Sequence, residues 1–397
     1  MKIKDGIHWV GVLHPDLRTF DIELTTERGT TYNSYLIKGE KVAVIDTVRV
    51  RFKDEFLSKI EALVDPKTLD YVIVNHCEPD HSGSLRALLE AVPNAKVVCT
   101  KPAKRFLKGI LNMPFESIEV SEEEPLDLGN GKTLRFLIVP FLHWPDTMFT
   151  YLVQDKILFP CDGFGAHYCD ERMFNDLVED YSYEFHYYFD RIVRPFKKYV
   201  VDALQKVKEA NLDIDMICPS HGPILRHDIL KYIRAYEEWS TPREHPSGLK
   251  KVAVFYASAH GCTQEMAKSV TKGLASEGKI RISVYNLEDF NEEIIRNEIE
   301  SADGILVGTP TIVSDAPRPI WEFLSLIHTV DRRGKVAGAF GSYGWSGEAI
   351  KMVENRLKSL RLKVIESNLK INFVPSPEDL ARCEEFGREF ARAVADQ

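Results

Sequence analysis

VNHCEPDHSG, residues 74–83, puts His76, Glu78, Asp80 and His81 within six positions, directly after the apolar run YVIV. If YVIV is a buried strand, these side chains stand on the loop at its carboxyl end, where open α/β sheets gather their ligands. A loop can turn several neighbouring side chains inward, so the close spacing is no obstacle. Three further residues hold the same kind of position. His143 follows TLRFLIVPFL, Asp162 follows KILFPC and His221 follows IDMICPS. Any one of them alone reads as a packed histidine or a turn aspartate. Together, four histidines and three carboxylates at strand ends point to metal. Seven ligands exceed one tetrahedral site and suit two metals sharing a carboxylate. Asp162, which stands apart from the main cluster, is the bridge candidate. Nitrogen and oxygen ligands without thiolate favour iron or manganese over structural zinc. Cys77, inside the cluster, reads as packing.

Around this stretch the first part of the chain is rich in strands. TYNSYLI and KVAVID read as a hairpin about Lys38, Gly39 and Glu40. SLRALLEAV reads as a helix, AKVVCT as a strand and Lys101–Leu111 as a second helix. TLRFLIVP, MFTYLVQ and KILFPCD are further strands, and the segment from Glu171 to Ala210 reads as mostly helical. Two runs of strands, each followed by helices, predict two packed sheets with helices outside. The polar stretch STPREHPSGLKK, residues 240–251, reads as a linker. It divides the chain into domains at 1–246 and 250–397. Beyond it, five strands alternate with helices over about 150 residues, which predicts a doubly wound parallel sheet of the flavodoxin type.

Three loops of that second domain follow predicted strands: SAHGCT (258–263), GTPTIVSDAP (308–317) and GSYGWSGE (341–348). Small residues in the first let backbone N–H groups surround a phosphate at a helix N-terminus. The other two bracket the switch point where a flavin sits in this topology. Tyr343 and Trp345 offer aromatic faces, although either reads equally as core. No G-x-G-x-x-G with a later acidic residue is present, so a nicotinamide cofactor is disfavoured.

The totals exclude several classes. The net charge of −9, without a long Lys/Arg block, argues against nucleic acid or an anionic membrane as partner. No apolar run approaches the roughly 20 residues of a membrane span, and the N-terminal residues lack a signal-peptide core. The seven scattered cysteines form no CxxC pair, so they read as reduced thiols in a cytoplasmic protein and exclude a fused rubredoxin module.

HCEPDH, with His143, Asp162 and His221 downstream, resembles the HxHxDH motif of the metallo-β-lactamase superfamily, with Glu78 in place of the second histidine. That variant resembles the flavodiiron proteins. The resemblance covers nearly the whole chain. It implies a metallo-β-lactamase-like αββα sandwich followed by a flavodoxin-like five-stranded sheet. It places His76, Glu78 and His143 on one iron, Asp80, His81 and His221 on the other, and Asp162 between them. Tyr188 and His167 are expected near the reacting centre, His167 either orienting Asp162 or an iron-bound histidine, or simply packed. For FMN, the resemblance implies Ser258, His260, Gly261, Cys262 and Thr263 at the phosphate. Pro310, Thr311, Ile312, Val313 and Ser314, with Ser342, Tyr343, Gly344, Trp345, Ser346 and Gly347, are expected around the ring. The implied activity is a terminal reductase: FMN collects electrons and a diiron pair reduces dioxygen to water or nitric oxide to nitrous oxide. A rubredoxin-like protein or a reduced deazaflavin would supply the electrons. A head-to-tail homodimer or tetramer would bring FMN to the partner's irons, with Trp345 near that junction.

Two departures from the family pattern bear on the pocket. Asp21, in LRTFDIE, stands where many relatives have histidine, and Tyr188-Phe189-Asp190-Arg191 replaces a YYAN-like run. Two other readings compete: a dizinc hydrolase with a flavodoxin-like accessory domain, and a flavin electron carrier whose first domain only binds a partner. Glu78 disfavours the hydrolase, because a carboxylate in place of a neutral imidazole suits higher metal oxidation states.

Overall fold

The computed structural model describes residues 1–241, 248–278, 280–289, 291–328 and 334–397. The chain divides into two compact units, Met1–Thr241 and Pro242–Gln397. Much of the expected linker, residues 242–247, lies outside the described residues.

Unit one is built on period-two alternation. In the strand Val42–Ile45, Val42 and Val44 face one core while Ala43 and Ile45 face another. In Leu69–Val74, Val72 and Val74 join the first core and Ile73 the second. A strand that is apolar on both faces must be covered on both. Its seven-stranded sheet runs Lys2–Lys4, Ile7–Trp9, Tyr35–Lys38, Val42–Ile45, Leu69–Val74, Lys96–Cys99 and Ser117–Glu119. The hairpin expected about Gly39 is formed by antiparallel pairing of Tyr35–Lys38 with Val42–Ile45, and the strands beyond it are parallel. The second sheet has Leu126–Asp127, Thr133–Ile138, Met148–Leu152, Ile157–Phe159 and Met216–Ile217. Phe136 and Met148 of this sheet meet Ile45 and Ile73 of the first in a shared core. The helices Lys53–Glu61, Leu85–Ala91 and Lys101–Leu111 cover the outer face of one sheet. Ser182–Tyr188, Lys197–Glu209 and Ile229–Ser240 cover the other. This is the αββα sandwich.

The segment Glu171–Ala210, expected to be mostly helical, is helical from Ser182 to Glu209. Residues 171–181 form turns and one bridge (Phe174 to Ile224), and helix begins only at Ser182. Then comes a wide turn, Phe189–Val193, and a tight one, Arg194–Phe196, before Lys197–Glu209. Pro195 lacks an N–H and its ring crowds the preceding turn, so a regular helix cannot run through it.

Unit two has the strand order Ile280–Asn286, Lys250–Tyr256, Gly304–Pro310, Val336–Tyr343, Lys363–Ile365, all parallel, with Lys370–Asn372 pairing further along Val336–Tyr343. The order 2-1-3-4-5 is that of a flavodoxin-like sheet. Apolar side chains pack on both of its faces, Ala253 and Phe255 on one, Val252 and Val254 on the other. Among the described residues no helix is long and apolar enough to cross a membrane.

The helices Cys262–Ser276 and Pro377–Ala395 touch backbone to backbone. A Cβ on Gly273 would lie 1.9 Å from the Glu384 carbonyl oxygen, and one on Gly387 would lie 2.2 Å from that of Val270. Gly273→Val should therefore destabilise unit two by about 1–3 kcal/mol or more, read as a lowered midpoint in thermal unfolding. An unchanged midpoint would contradict this packing.

Candidate functional site

The loop after Leu69–Val74 closes at once into the short helix Pro79–Ser82, started by Pro79. It carries Asp80 and His81 inward, both buried, behind Glu78. His143, Asp162 and His221 arrive from strand ends in the second sheet, so the seven expected residues come together between the edges of the two sheets. They form two groups. Ligand atoms of His76, Glu78, His143 and Asp162 lie within 4.8 Å of one another, as do those of Asp80, His81 and His221.

Asp162 faces both groups. Its Oδ2 is 3.4 Å from His143 Nε2 and 3.8 Å from His76 Nε2. Its Oδ1 is 3.2 Å from His81 Nε2 and 3.5 Å from His221 Nε2. Glu78 Oε2 stands 3.1 Å from His143 Nε2 and 3.2 Å from His76 Nε2, and Asp80 Oδ2 3.0 Å from His221 Nε2. Several of the atoms turned inward are buried without a hydrogen-bond partner: Asp80 Oδ1, Asp162 Oδ2 and His81 Nε2. Buried polar atoms are normally satisfied. Unpartnered oxygens and a nitrogen converging on one place fit a pair of cations.

Two of the outward nitrogens are held by the protein. His221 Nδ1 donates to the Thr31 carbonyl at 2.6 Å, leaving Nε2 free to bind a metal. His76 Nδ1 donates to Asp146 Oδ2 at 3.2 Å, and the same oxygen accepts from the Cys77 N–H at 2.7 Å. Asp146 was not among the expected residues. It is not at a strand end, and only its place three positions after His143 could have marked it. Cys161, directly before Asp162 at the same strand end, was not among the expected residues either, and its buried thiol approaches His81 and Asp162. Cys77 packs in the core, its Sγ on the Ala103 carbonyl.

The electrostatics answer to this crowding. Burial alone would lower the pKa of His76, but hydrogen bonds to Asp146 and Glu78 raise it to about 10. His143 goes from burial to about 10 through Asp162 and Glu78, and His81, equally buried, to about 10 through Asp162 and Asp80. Burial opposes ionisation of Glu78 too, yet His143 and His76 hold it below the usual carboxylate range. Asp162 is likewise lowered despite burial, by His81 and His143.

Tyr188 donates its hydroxyl to Asp162 Oδ1 at 2.8 Å, and Ser220 does so at 3.1 Å. His167 makes no such bond. Its Nδ1 meets Thr30 Oγ1 at 3.0 Å, its Nε2 has no partner, and its ring packs on Phe20, Tyr188 and His221. Burial and then His221 press its pKa well down, so it stays neutral. Asp21 sits in the field of the centre: partial burial, then Glu78 and Asp80, raise its pKa to about 6. Phe189 is buried against Tyr236 and Trp239 and packs in the core. The Trp144 ring stands edge-on to His76, and Phe196 lies 5.9 Å from His143.

In unit two the three expected loops all leave the carboxyl ends of parallel strands and are tied to one another. Ser258 Oγ accepts from the Gln264 N–H at the start of Cys262–Ser276, after Gly261 at φ +85°. Thr263 Oγ1 lies 2.9 Å from Ser342 Oγ, the Thr311 N–H donates to the Ser342 carbonyl, and Ser314 and Ser346 meet at 3.4 Å. Thr311 Oγ1 is buried without a partner, and a Cβ on Gly261 would meet nothing within 4 Å. A phosphate at the helix N-terminus and a ring beside Thr311 fit this arrangement. Pro310 is buried, Cys262, Tyr343, Gly344, Ser346 and Gly347 are half-buried, and His260, Ile312, Val313, Ser314 and Trp345 are exposed. Phe373, from the loop after Lys370–Asn372, lies against Gly344 and was not among the expected residues.

A family profile described as ODP family beta lactamase matches residues 30–222, and one described as Flavodoxin matches 254–387. Flavo-diiron protein FprA2 of Clostridium acetobutylicum is 45% identical over 99% of both chains. The chain belongs to the flavo-diiron protein family. The type A flavoprotein fprA of Rhodobacter capsulatus is 42% identical across all of this chain and 91% of that one. Among solved structures, rubredoxin oxygen:oxidoreductase from Desulfovibrio gigas matches with a TM-score of 0.70 at 29% identity, over 100% of this chain and 98% of that one. The flavodiiron protein from Giardia intestinalis matches with a TM-score of 0.69 at 30% identity, over 100% and 96%.

Three expectations follow. Asp146→Ala should lower metal affinity about 10–100-fold, measured by competition with a chelator; unchanged affinity would remove its role behind His76. Metals need bare nitrogens, and His76, His81 and His143 carry protons in the metal-free chain at pH 7. Loading should release protons, up to one per imidazole, in calorimetry across buffers of different ionisation enthalpy. These folded pKa values lie above the unfolded value of about 6.5. Metal-free stability should therefore fall as pH rises from about 6.5 to about 10. A flat stability profile there would contradict the shifts.

Proposed function

We propose that this flavodiiron oxidoreductase carries FMN in unit two and two irons in unit one, and that it reduces nitric oxide to nitrous oxide or dioxygen to water. The reading rests most on Asp162, one oxygen turned to each group of ligands. A cage of four imidazoles and three carboxylates, oxygen-rich and without thiolate among the expected ligands, suits iron. FMN would accept electrons in pairs and release them singly, and the two irons would bind the diatomic substrate and transfer those electrons to it. His76, Glu78 and His143 would hold one metal, Asp80, His81 and His221 the other. The protein fixes the geometry through Asp146 and the Thr31 carbonyl, each bonded to the far nitrogen of a histidine, and through Tyr188, whose hydroxyl donates to Asp162 Oδ1. Ser258, Gly261 and Thr263 would hold the phosphate, and the loops at 310–314 and 342–347 the ring. The reaction takes up protons, and every titratable ligand side chain of the centre would be occupied by metal.

Relatives point to both substrates. One from Moorella thermoacetica, 37% identical over all of this chain and 99% of that one, is named nitric oxide reductase, and the Desulfovibrio gigas protein is an oxygen oxidoreductase. An external donor supplies electrons, either a rubredoxin-like protein or a reduced deazaflavin. A head-to-tail homodimer, or a pair of them, would bring the FMN loops of one copy to the irons of another. The exposed Trp345 and Val313 in those loops, 80% and 82% open, support such a contact.

The test uses iron- and FMN-loaded protein with one chemical reductant, following consumption of each gas. His143→Ala should abolish turnover of both while keeping its flavin. Turnover retained in that variant would make unit one a binding module. Turnover of neither gas by the parent protein would defeat the reading.

A further inference from the structure

A cavity of about 210 Å³ opens beside the metal centre, lined by Thr25, Thr26, Glu27, His167, Tyr183, Glu184 and Tyr187. At roughly 30 Å³ per water, it holds several. His167 is 2% exposed, and its Nε2 is the ring nitrogen with no protein partner. The other nitrogen is fixed by Thr30, which also approaches His221 Nδ1 at 3.4 Å. On the inner side the His167 and Tyr188 rings lie 4.8 Å apart, and the Tyr188 hydroxyl donates to Asp162. On the outer side stand two carboxylates, Glu27 and Glu184, the latter 3.9 Å from Arg28 Nη1.

We propose that this cavity is a water port through which protons reach the metal centre, with His167 Nε2 anchoring its innermost water. The inference rests on the reductase reading. Two nitric oxide molecules take two electrons and two protons to give nitrous oxide and one water. Dioxygen takes four of each to give two waters. Reduced FMN supplies the electrons, and the protons come from solvent. His167 lines the cavity and its buried Nε2 lacks a protein partner, and water is the partner that a cavity with hydroxyl and carboxylate groups in its wall admits. The His167 ring is a positioning group: it fixes the water that faces the wall of the centre formed by Tyr188 and Asp162. Glu27 and Glu184 raise the local proton concentration at the mouth.

The experiment has two arms on the FMN- and iron-loaded protein. The first compares the parent with Thr25→Phe, which plugs the cavity from an exposed position, and with His167→Phe, which keeps the ring volume and removes its nitrogens. Nitric oxide is the probe, or dioxygen if the parent turns over only that gas. Each variant should lower kcat about tenfold or more and raise the solvent deuterium isotope effect. KM for the gas, iron content and the rate of flavin reduction should stay unchanged. The second arm is high-resolution diffraction. It should show ordered waters in the cavity, one within about 3 Å of His167 Nε2, and that water should be lost in His167→Phe. The proposal is overturned if kcat and the isotope effect keep their parental values in both variants. It is also overturned if KM for the gas rises at constant kcat, which would make the cavity a gas route, or if His167 Nε2 bonds a protein atom with no water in reach. If the parent turns over neither gas, the functional reading fails, and diffraction still decides whether the cavity holds water against His167.

Discussion

Asp162 presents Oδ1 to one pair of imidazoles and Oδ2 to another, and the rest of unit one is arranged so that it can. It follows the strand Ile157–Phe159, whose side chains are all buried. That strand pairs with Met148–Leu152 on one side and Met216–Ile217 on the other. His143 precedes the first of these neighbours and His221 follows the second. The glutamate, the aspartate and the remaining histidines come from the end of Leu69–Val74 in the facing sheet. Two sheets must therefore pack in one register for the carboxylate to reach both groups. Without metal, the buried imidazoles and carboxylates pair with one another, and the pairing outweighs burial: imidazoles are driven up to about 10, and Glu78 and Asp162 down. Burial of charge is costly unless it is paired, so the core that fixes the two sheets also keeps these pairs in register.

The two units divide the chemistry by the kind of loop each sheet offers. Unit one supplies side-chain nitrogen and oxygen from strand ends, and so a place for cations. Unit two supplies a helix N-terminus, hydroxyls and backbone, and so a place for a phosphate and a flat ring. Neither arrangement would serve the other's ligand. The family relationship, carried across the whole chain, joins them in one electron path.

The sequence made much of this legible. Alternation in KVAVID and LDYVIV marks strands apolar on both faces, and this alone requires two covering layers. The seven candidate ligands stand out because their residue types are rare together and each follows an apolar run, and the structure brings them into two adjoining groups. What escaped lacked such a signal. Asp146 and the Thr31 carbonyl act on the far side of ligands, and one of them is backbone. Residues 171–181 are rich in polar and aromatic side chains that a helix would also tolerate, but they are drawn into turns by Arg28, which binds Glu179 and the Asp180 carbonyl. Phe189 stood as a departure from the family pattern. Its burial against Tyr236 and Trp239 makes it a core residue, whereas Asp21 remains in the field of the centre.

The most direct measurement is anomalous diffraction at the iron edge on protein purified without added metal. The account predicts two iron peaks about 3.5–4 Å apart, with Asp162 bonded to both through different oxygens. A single peak, a zinc signal in its place, or an Asp162 carboxylate reaching only one ion would contradict it.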